Sequence, residues 1–167
     1  MNFELAMAIA TFSFVTSVTP GPNNTFLLTS GANFGVRRSL PYAFGILSGL
    51  SLIMIGIGAG LGVLFATLPV VYQTLKYVGF AYMLFIAYQI VRSTTKNETA
   101  EARYVGFRRS TLFQFVNPKA WIVVASYMAS FVPINAGPVL AAGVCAVFLI
   151  GTYPGALIWA ISGQVLR

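Results

Sequence analysis

The sequence predicts an all-α integral membrane protein of about five transmembrane helices, with the first and fourth of them broken. Three observations lead there. Hydrophobic residues make up 57% of the chain and charged residues only 8%, against about 45–50% and about 25% in an ordinary soluble domain. The 10 basic and 3 acidic side chains could not cover the surface of a soluble protein of 167 residues. Apolar stretches of roughly 20 residues recur, the length that carries a helix across a hydrocarbon core of about 30 Å. The weaker, alternating pattern of a membrane β-barrel is absent.

Taken in order, the apolar runs place spans at about 4–30, 41–66, 71–92, 112–133 and 138–163, each long enough by the helical rise per residue. The start, Met1-Asn2-Phe3-Glu4, has no basic n-region and no small-residue cleavage site follows, so the first span is read as structure and not as a leader. The net charge of +7 is distributed unevenly. Arg37 and Arg38 fall between spans one and two; Arg92, Lys96, Arg103, Arg108 and Arg109 between spans three and four; Arg167 after span five. The other side has Lys76 alone. An excess of Lys and Arg marks the cytoplasmic loops, which puts the N-terminus outside. The basic partner is then anionic lipid headgroups and not nucleic acid.

Several chemistries are excluded by inventory. Cys145 is a lone cysteine, and His and Asp do not occur, so neither a disulfide framework nor a metal site of the usual ligands can be built. A Ser-His-Asp arrangement is equally out of reach. The reading contains no catalytic residue, no metal and no cofactor.

The stretch "TSVTPGPNNT", 16–25, is the first informative motif. Residues 5–18 make only about 21 Å of helix, so Thr19-Pro20-Gly21-Pro22 lies within the membrane and the span continues through it. Proline has no N–H, and its ring clashes with the carbonyl four residues back. Pro20 is expected to free the carbonyl of Thr16, and Pro22 that of Val18, while Gly21 lets the chain bend further. When the helix restarts, the amides of Asn23, Asn24 and Thr25 are expected to lack helical acceptors and to carry the positive end of the helix dipole. A broken helix at mid-depth is tolerated only against protein or a wet cavity. Donors beside acceptors suit the carboxylate and ammonium of an amino acid. The plainer alternative is a kink packed against a neighbour.

"FQFVNPKAWIVV", 113–124, repeats the device. Pro118 is expected to free the carbonyl of Gln114, and Asn117, preceding a proline, is pushed out of the α region. A shift of 98 residues puts Thr19-Pro20 on Asn117-Pro118 and Gly45 on Gly143. Three spans separate the breaks, so the halves would be inverted repeats, a pointer to a transport site. The organisation expected is one transmembrane domain over 1–167: a half-repeat over about 1–92, a cytoplasmic loop over about 93–110, and a truncated half-repeat over about 111–167. Lys119 is the one cation within a span; it either snorkels to the cytoplasmic headgroups or holds a substrate carboxylate.

Gly45-x3-Gly49, Gly56-x3-Gly60 and Gly58-x3-Gly62 in span two and Gly151-x3-Gly155 in span five read as close helix packing, within the chain or between copies in a homo-oligomer. Tyr153-Pro154 is expected to break span five. Trp121 and Trp159 read as interface anchors, and Gln89 and Gln164 as solvated ends. No Asp or Glu falls within a span beyond Glu4, so a proton relay has no obvious carboxylate.

"SVTPGPNNTFLLTSGANFGVRRSLPYAFGILSGL" resembles the first conserved region of the lysine-exporter (LysE/RhtB) superfamily, and "FQFVNPKA" its second. The resemblance covers essentially the whole chain. It implies export of amino acids or their derivatives across the bacterial inner membrane, driven by the proton gradient. The asparagine pair after "TPGP" is most similar to the cysteine/O-acetylserine branch; the homoserine/threonine branch more often has an acidic residue there. The family has six spans, and five are read here. The site residues so expected are Thr16, Val18, Thr19, Pro20, Gly21, Pro22, Asn23, Asn24, Gln114, Asn117, Pro118 and Lys119. The competing readings are a passive channel, which would need a polar stripe through several spans, and a non-transporting membrane assembly partner.

Overall fold

The computed structural model describes residues 3–61, 105–133 and 136–167, with isolated helical positions at 70, 73, 74, 77, 81, 84 and 88. Six α-helices appear among the described residues: α1 Phe3–Val18, α2 Pro22–Phe34, α3 Val36–Gly56, α4 Phe107–Val116, α5 Pro118–Phe131 and α6 Pro138–Val165. A π-helical turn, Ile57–Leu61, extends α3. The expected third span, with Lys76 and Gln89, lies almost wholly outside the described residues, as do Gly62, Arg92, Lys96 and Arg103.

Helices α3 and α6 are each long and apolar enough to cross a membrane, and α1 with α2, bent by 65° at the Thr19–Gly21 break, is so when the two are taken together. Large side chains face outward: Ile150 is 72% exposed and Leu112 67%. An apolar exterior around a tight interior is the arrangement a lipid solvent permits, and the chain is a membrane protein.

Two features differ from the sequence reading. Span two begins at Val36 and not at 41, so Arg37 and Arg38 lie in the first turn of a helix rather than in a loop, and Pro41 sits inside α3. Gly35 permits this early start: its φ of 77° turns the chain directly from α2 into α3, a conformation that favours glycine. Tyr153-Pro154 does not break span five; α6 is continuous through Pro154, held there by close neighbours at Gly151 and Gly155.

Those neighbours explain the glycines. A Cβ on Gly151 would lie 2.8 Å from Ser13 Cβ, one on Gly155 2.7 Å from Ser17 Cβ, and one on Gly163 2.8 Å from the Leu28 carbonyl carbon. Gly31 of α2 meets the Ala160 backbone in the same way. Unbroken α6 therefore splints both halves of the broken first span. Gly45 and Gly49 bring α3 against α4, at Phe107 and Ser110 and at Thr111 and Gln114, so this pair serves contacts within the chain. Gly143, the shifted counterpart of Gly45, has nothing within 4 Å among the described residues.

The contacts order the bundle by depth. Gln164, exposed near the end of α6, accepts a hydrogen bond from Val36 N at 2.7 Å. Ser110 donates to Tyr42 O at 2.7 Å. Exposed Arg37, Arg38, Arg108, Arg109 and Arg167 thus gather toward one end. The start of α6 lies at the other end, where Tyr127 donates to Val144 O at 2.6 Å.

Candidate functional site

The two breaks meet in the middle of the bundle. At the first, α1 ends at Val18 and the chain re-enters a helix at Pro22, the first-turn position where a missing N–H does no harm. Gly21 is extended there, with φ 179° and ψ 174°, a conformation open to any residue. Its value is room, not the bend anticipated: a Cβ would lie 2.9 Å from Lys119 Cδ. At the second break Asn117 is the N-cap of α5; its Oδ1 accepts from Lys119 N at 3.1 Å, and Pro118 starts the helix.

Lys119 crosses from the second break to the first. Its Nζ donates to Thr19 O at 2.6 Å and to Pro20 O at 3.4 Å. The ammonium therefore does not run out to the headgroups. It sits at the negative end of the α1 dipole, and among the described residues no carboxylate pairs with it.

A second bridge joins the breaks through amides. Asn23 Nδ2 donates to Gln114 Oε1 at 2.8 Å, and Gln114 Nε2 donates to Asn23 Oδ1 at 3.0 Å. Gln114 Nε2 also donates to Ser110 O at 2.9 Å, and the Tyr42 hydroxyl lies 3.5 Å from Asn23 Oδ1. Phe26, Tyr42 and Phe113 pack beside this pair. The latch lies on the arginine-rich side of the break. On the other side stand Phe12, Tyr127, Phe131 and Phe148.

Gln114→Leu is expected to cost about 1–3 kcal/mol, because it strands the carboxamide of Asn23 in a half-buried place. Adding Asn23→Leu should recover part of that loss, since both polar partners are then gone. Melting temperatures of the two single variants and the double variant in detergent measure the coupling.

The freed backbone groups are largely taken. Val18 O accepts from Trp159 Nε1 at 3.2 Å, and Phe115 O from Trp121 Nε1 at 2.8 Å. The two tryptophans cap the breaks instead of anchoring at the membrane interface, and Val18 loses the accepting role expected for it. Gln114 O accepts from Asn117 N at 3.2 Å. Of the three amides expected to be open, those of Asn24 and Thr25 both reach Gly21 O at 3.0 Å. A single carbonyl with two lone pairs satisfies them, and the Asn23 amide has no acceptor among the described residues.

Between the breaks lies a cavity of about 60 Å³, room for a few water molecules. Thr16, Gly21, Asn23, Asn24, Asn117 and Lys119 line it. Thr19, Pro20 and Gln114 stand behind this lining as partners of Lys119 and Asn23, while Val18, Pro22 and Pro118 shape the breaks. The sequence reading missed Ser17, Thr152 and the apolar wall of Ile46, Leu50, Val123, Phe148 and Ala156. Thr152 was findable as a hydroxyl in the middle of an apolar span; the wall was not, because it depends on how three helices pack.

The unused hydrogen-bonding groups define what the cavity can hold. Asn24 gives both Nδ2 hydrogens to carbonyls, Ser17 O at 2.7 Å and Thr19 O at 2.8 Å, so its Oδ1 remains an acceptor. Asn117 is 1% exposed, and its Nδ2 has no partner among the described residues. Donors are thus Asn117 Nδ2, the Asn23 amide and Lys119; acceptors are Asn24 Oδ1 and the break carbonyls. The set matches a small molecule with an anionic and a cationic group side by side.

The LysE type translocator family matches residues 14–164. The cysteine/O-acetylserine efflux protein of Escherichia coli (strain K12) is 31% identical over 170 residues, covering 100% of this chain and 86% of that protein. The protein of the same name from Salmonella typhimurium (strain LT2) is 32% identical, with 100% and 86% covered, and that of Shigella flexneri is 31% identical over 166 residues, with 98% and 84% covered. No solved structure matches the chain. With both helix breaks inside the matched region, the chain belongs to the LysE type translocator family.

Proposed function

We propose that this chain is a secondary exporter, and not an enzyme, moving small neutral amino acids or their derivatives outward from the cytoplasm across the bacterial inner membrane. Cysteine- and O-acetylserine-like or homoserine- and threonine-like molecules are the substrate class. The observation that most supports the reading is Lys119, an ammonium held on the carbonyls of a broken helix without a carboxylate partner among the described residues. A cation is costly within a membrane span, and a substrate carboxylate would be its natural complement.

In this reading Lys119 stands where the substrate's own ammonium belongs. Substrate entry exchanges the two cations. The incoming ammonium takes the carbonyls of Thr19 and Pro20 with Asn24 Oδ1, and Lys119 turns to the carboxylate together with Asn117 Nδ2 and the Asn23 amide. Access from the arginine-rich end, taken as cytoplasmic with the N-terminus outside, requires the Asn23–Gln114 pair to part. The proton gradient drives the cycle. Rocking of one half against the other gives alternating access.

The test is export from intact cells expressing the chain, with the medium assayed for cysteine, O-acetylserine, homoserine, threonine, leucine and lysine. At least one of the first four is expected to accumulate severalfold over cells without the chain. Membrane-inserted protein with no accumulation of any of them overturns the reading.

A further inference from the structure

The hydroxyls that line the cavity share one property. Thr16 Oγ1 donates to Phe12 O, Ser17 Oγ to Phe14 O and Thr152 Oγ1 to Phe148 O, each at 2.8 Å. A hydroxyl has one hydrogen, and each of these has given it to its own helix. Only lone pairs remain for the cavity. Thr16 and Ser17 do so near the break, beside Asn24 and the Thr19 carbonyl, where an ammonium would be met.

Thr152 is different in position. It lies on α6, one turn from Phe148 and one turn from Ala156, within the wall that Ile46, Leu50 and Val123 complete. It is 7% exposed, and no described group donates to it. A polar acceptor set in an apolar wall disfavours a methyl group placed against it and favours a donor.

We infer that Thr152 is a specificity-determining residue that accepts the hydrogen of a thiol or hydroxyl at the end of a short substrate side chain. The inference rests on the exporter reading and narrows its substrate class. Small thiol- and hydroxyl-bearing amino acids are preferred over isosteres that end in a methyl group. They are also preferred over O-acylated forms, whose side chain has no hydrogen to donate. Phe148 and Ala156 beside Thr152 keep that side chain short.

The test is thermal stabilisation of the purified full chain, titrated with cysteine, 2-aminobutyrate, serine, alanine and O-acetylserine. A ligand that binds the folded state raises the melting temperature according to its Kd. Cysteine and 2-aminobutyrate differ only by S–H for CH₃. Wild-type protein is expected to bind cysteine over 2-aminobutyrate, and serine over alanine, by about five- to tenfold, the scale of one neutral hydrogen bond. Thr152→Val should bring both ratios close to one without weakening 2-aminobutyrate, and Thr152→Ser should retain them. Ratios near one in the wild type, or ratios that survive Thr152→Val, overturn the role of Thr152 and leave the exporter reading standing. Folded protein stabilised by none of the five overturns both.

Discussion

Replacing Lys119 with methionine is expected to abolish transport while leaving the protein inserted and folded. The side chain keeps its reach and apolar stem and loses only its charge. Truncating one partner of a desolvated charge pair costs about 2–5 kcal/mol, on the order of 30-fold to 4000-fold in substrate binding. Stability should not fall in parallel. Thr19 and Pro20 are themselves exposed, so water can replace the ammonium on their carbonyls, and removing a cation from the middle of a span relieves about 2.5–3.5 kcal/mol on the insertion scale. Initial rates of labelled substrate exchange in vesicles, with the melting temperature of the same preparation, separate the two effects. Unchanged exchange in Lys119→Met would show that the substrate carboxylate is held elsewhere.

Gly163→Leu is expected to unseat α6 from the broken span. A Cβ at Gly163 meets the carbonyl of Leu28 and comes to 3.0 Å from Ala32 N. Both are backbone atoms of a hydrogen-bonded helix, so no rotamer change can make room. Overpacking of this kind costs about 3 kcal/mol or more, a fall of roughly 6–12 °C in melting temperature for a domain of this size. Gly143→Ala, on the same helix, supplies the control. Nothing lies within 4 Å of its Cβ position among the described residues, and alanine is better than glycine in a helix interior by about 1 kcal/mol. The two substitutions should therefore move the melting temperature in opposite directions. Equal losses from both would mean that close approach at Gly163 does not hold the bundle.

The breaks were legible because they depend on local chemistry. Two prolines around Gly21, and Asn117 before Pro118, interrupt a helix whatever surrounds them. Lys119 stood out because cations are rare in a span. The fates of the freed groups were not legible, because their partners lie far along the chain. Trp159 reaches Val18 across 141 positions, and Asn23 reaches Gln114 across 91. Neither contact has a periodicity to betray it; both follow from the depth at which glycines allow helices to meet. Gly21 was misread for a related reason. A sequence argument treats glycine as conformational freedom, whereas here the absent Cβ makes way for the stem of Lys119. The continuity of α6 through Pro154 was likewise set by packing against Ser13 and Ser17, which local propensity does not see.

The reciprocal amide pair between Asn23 and Gln114 has a consequence for energetics across the membrane. Neither side chain carries net charge or a proton that leaves near neutral pH. The membrane potential does work of about 2.3 kcal/mol per elementary charge per 100 mV, and on this pair it does none. Opening the arginine-rich side is therefore electrically silent, and a zwitterion passing through adds no net charge. Apart from the protons that drive the cycle, voltage sensitivity falls on the displacement of the Lys119 ammonium, so the gating charge lost between wild type and Lys119→Met reports that motion.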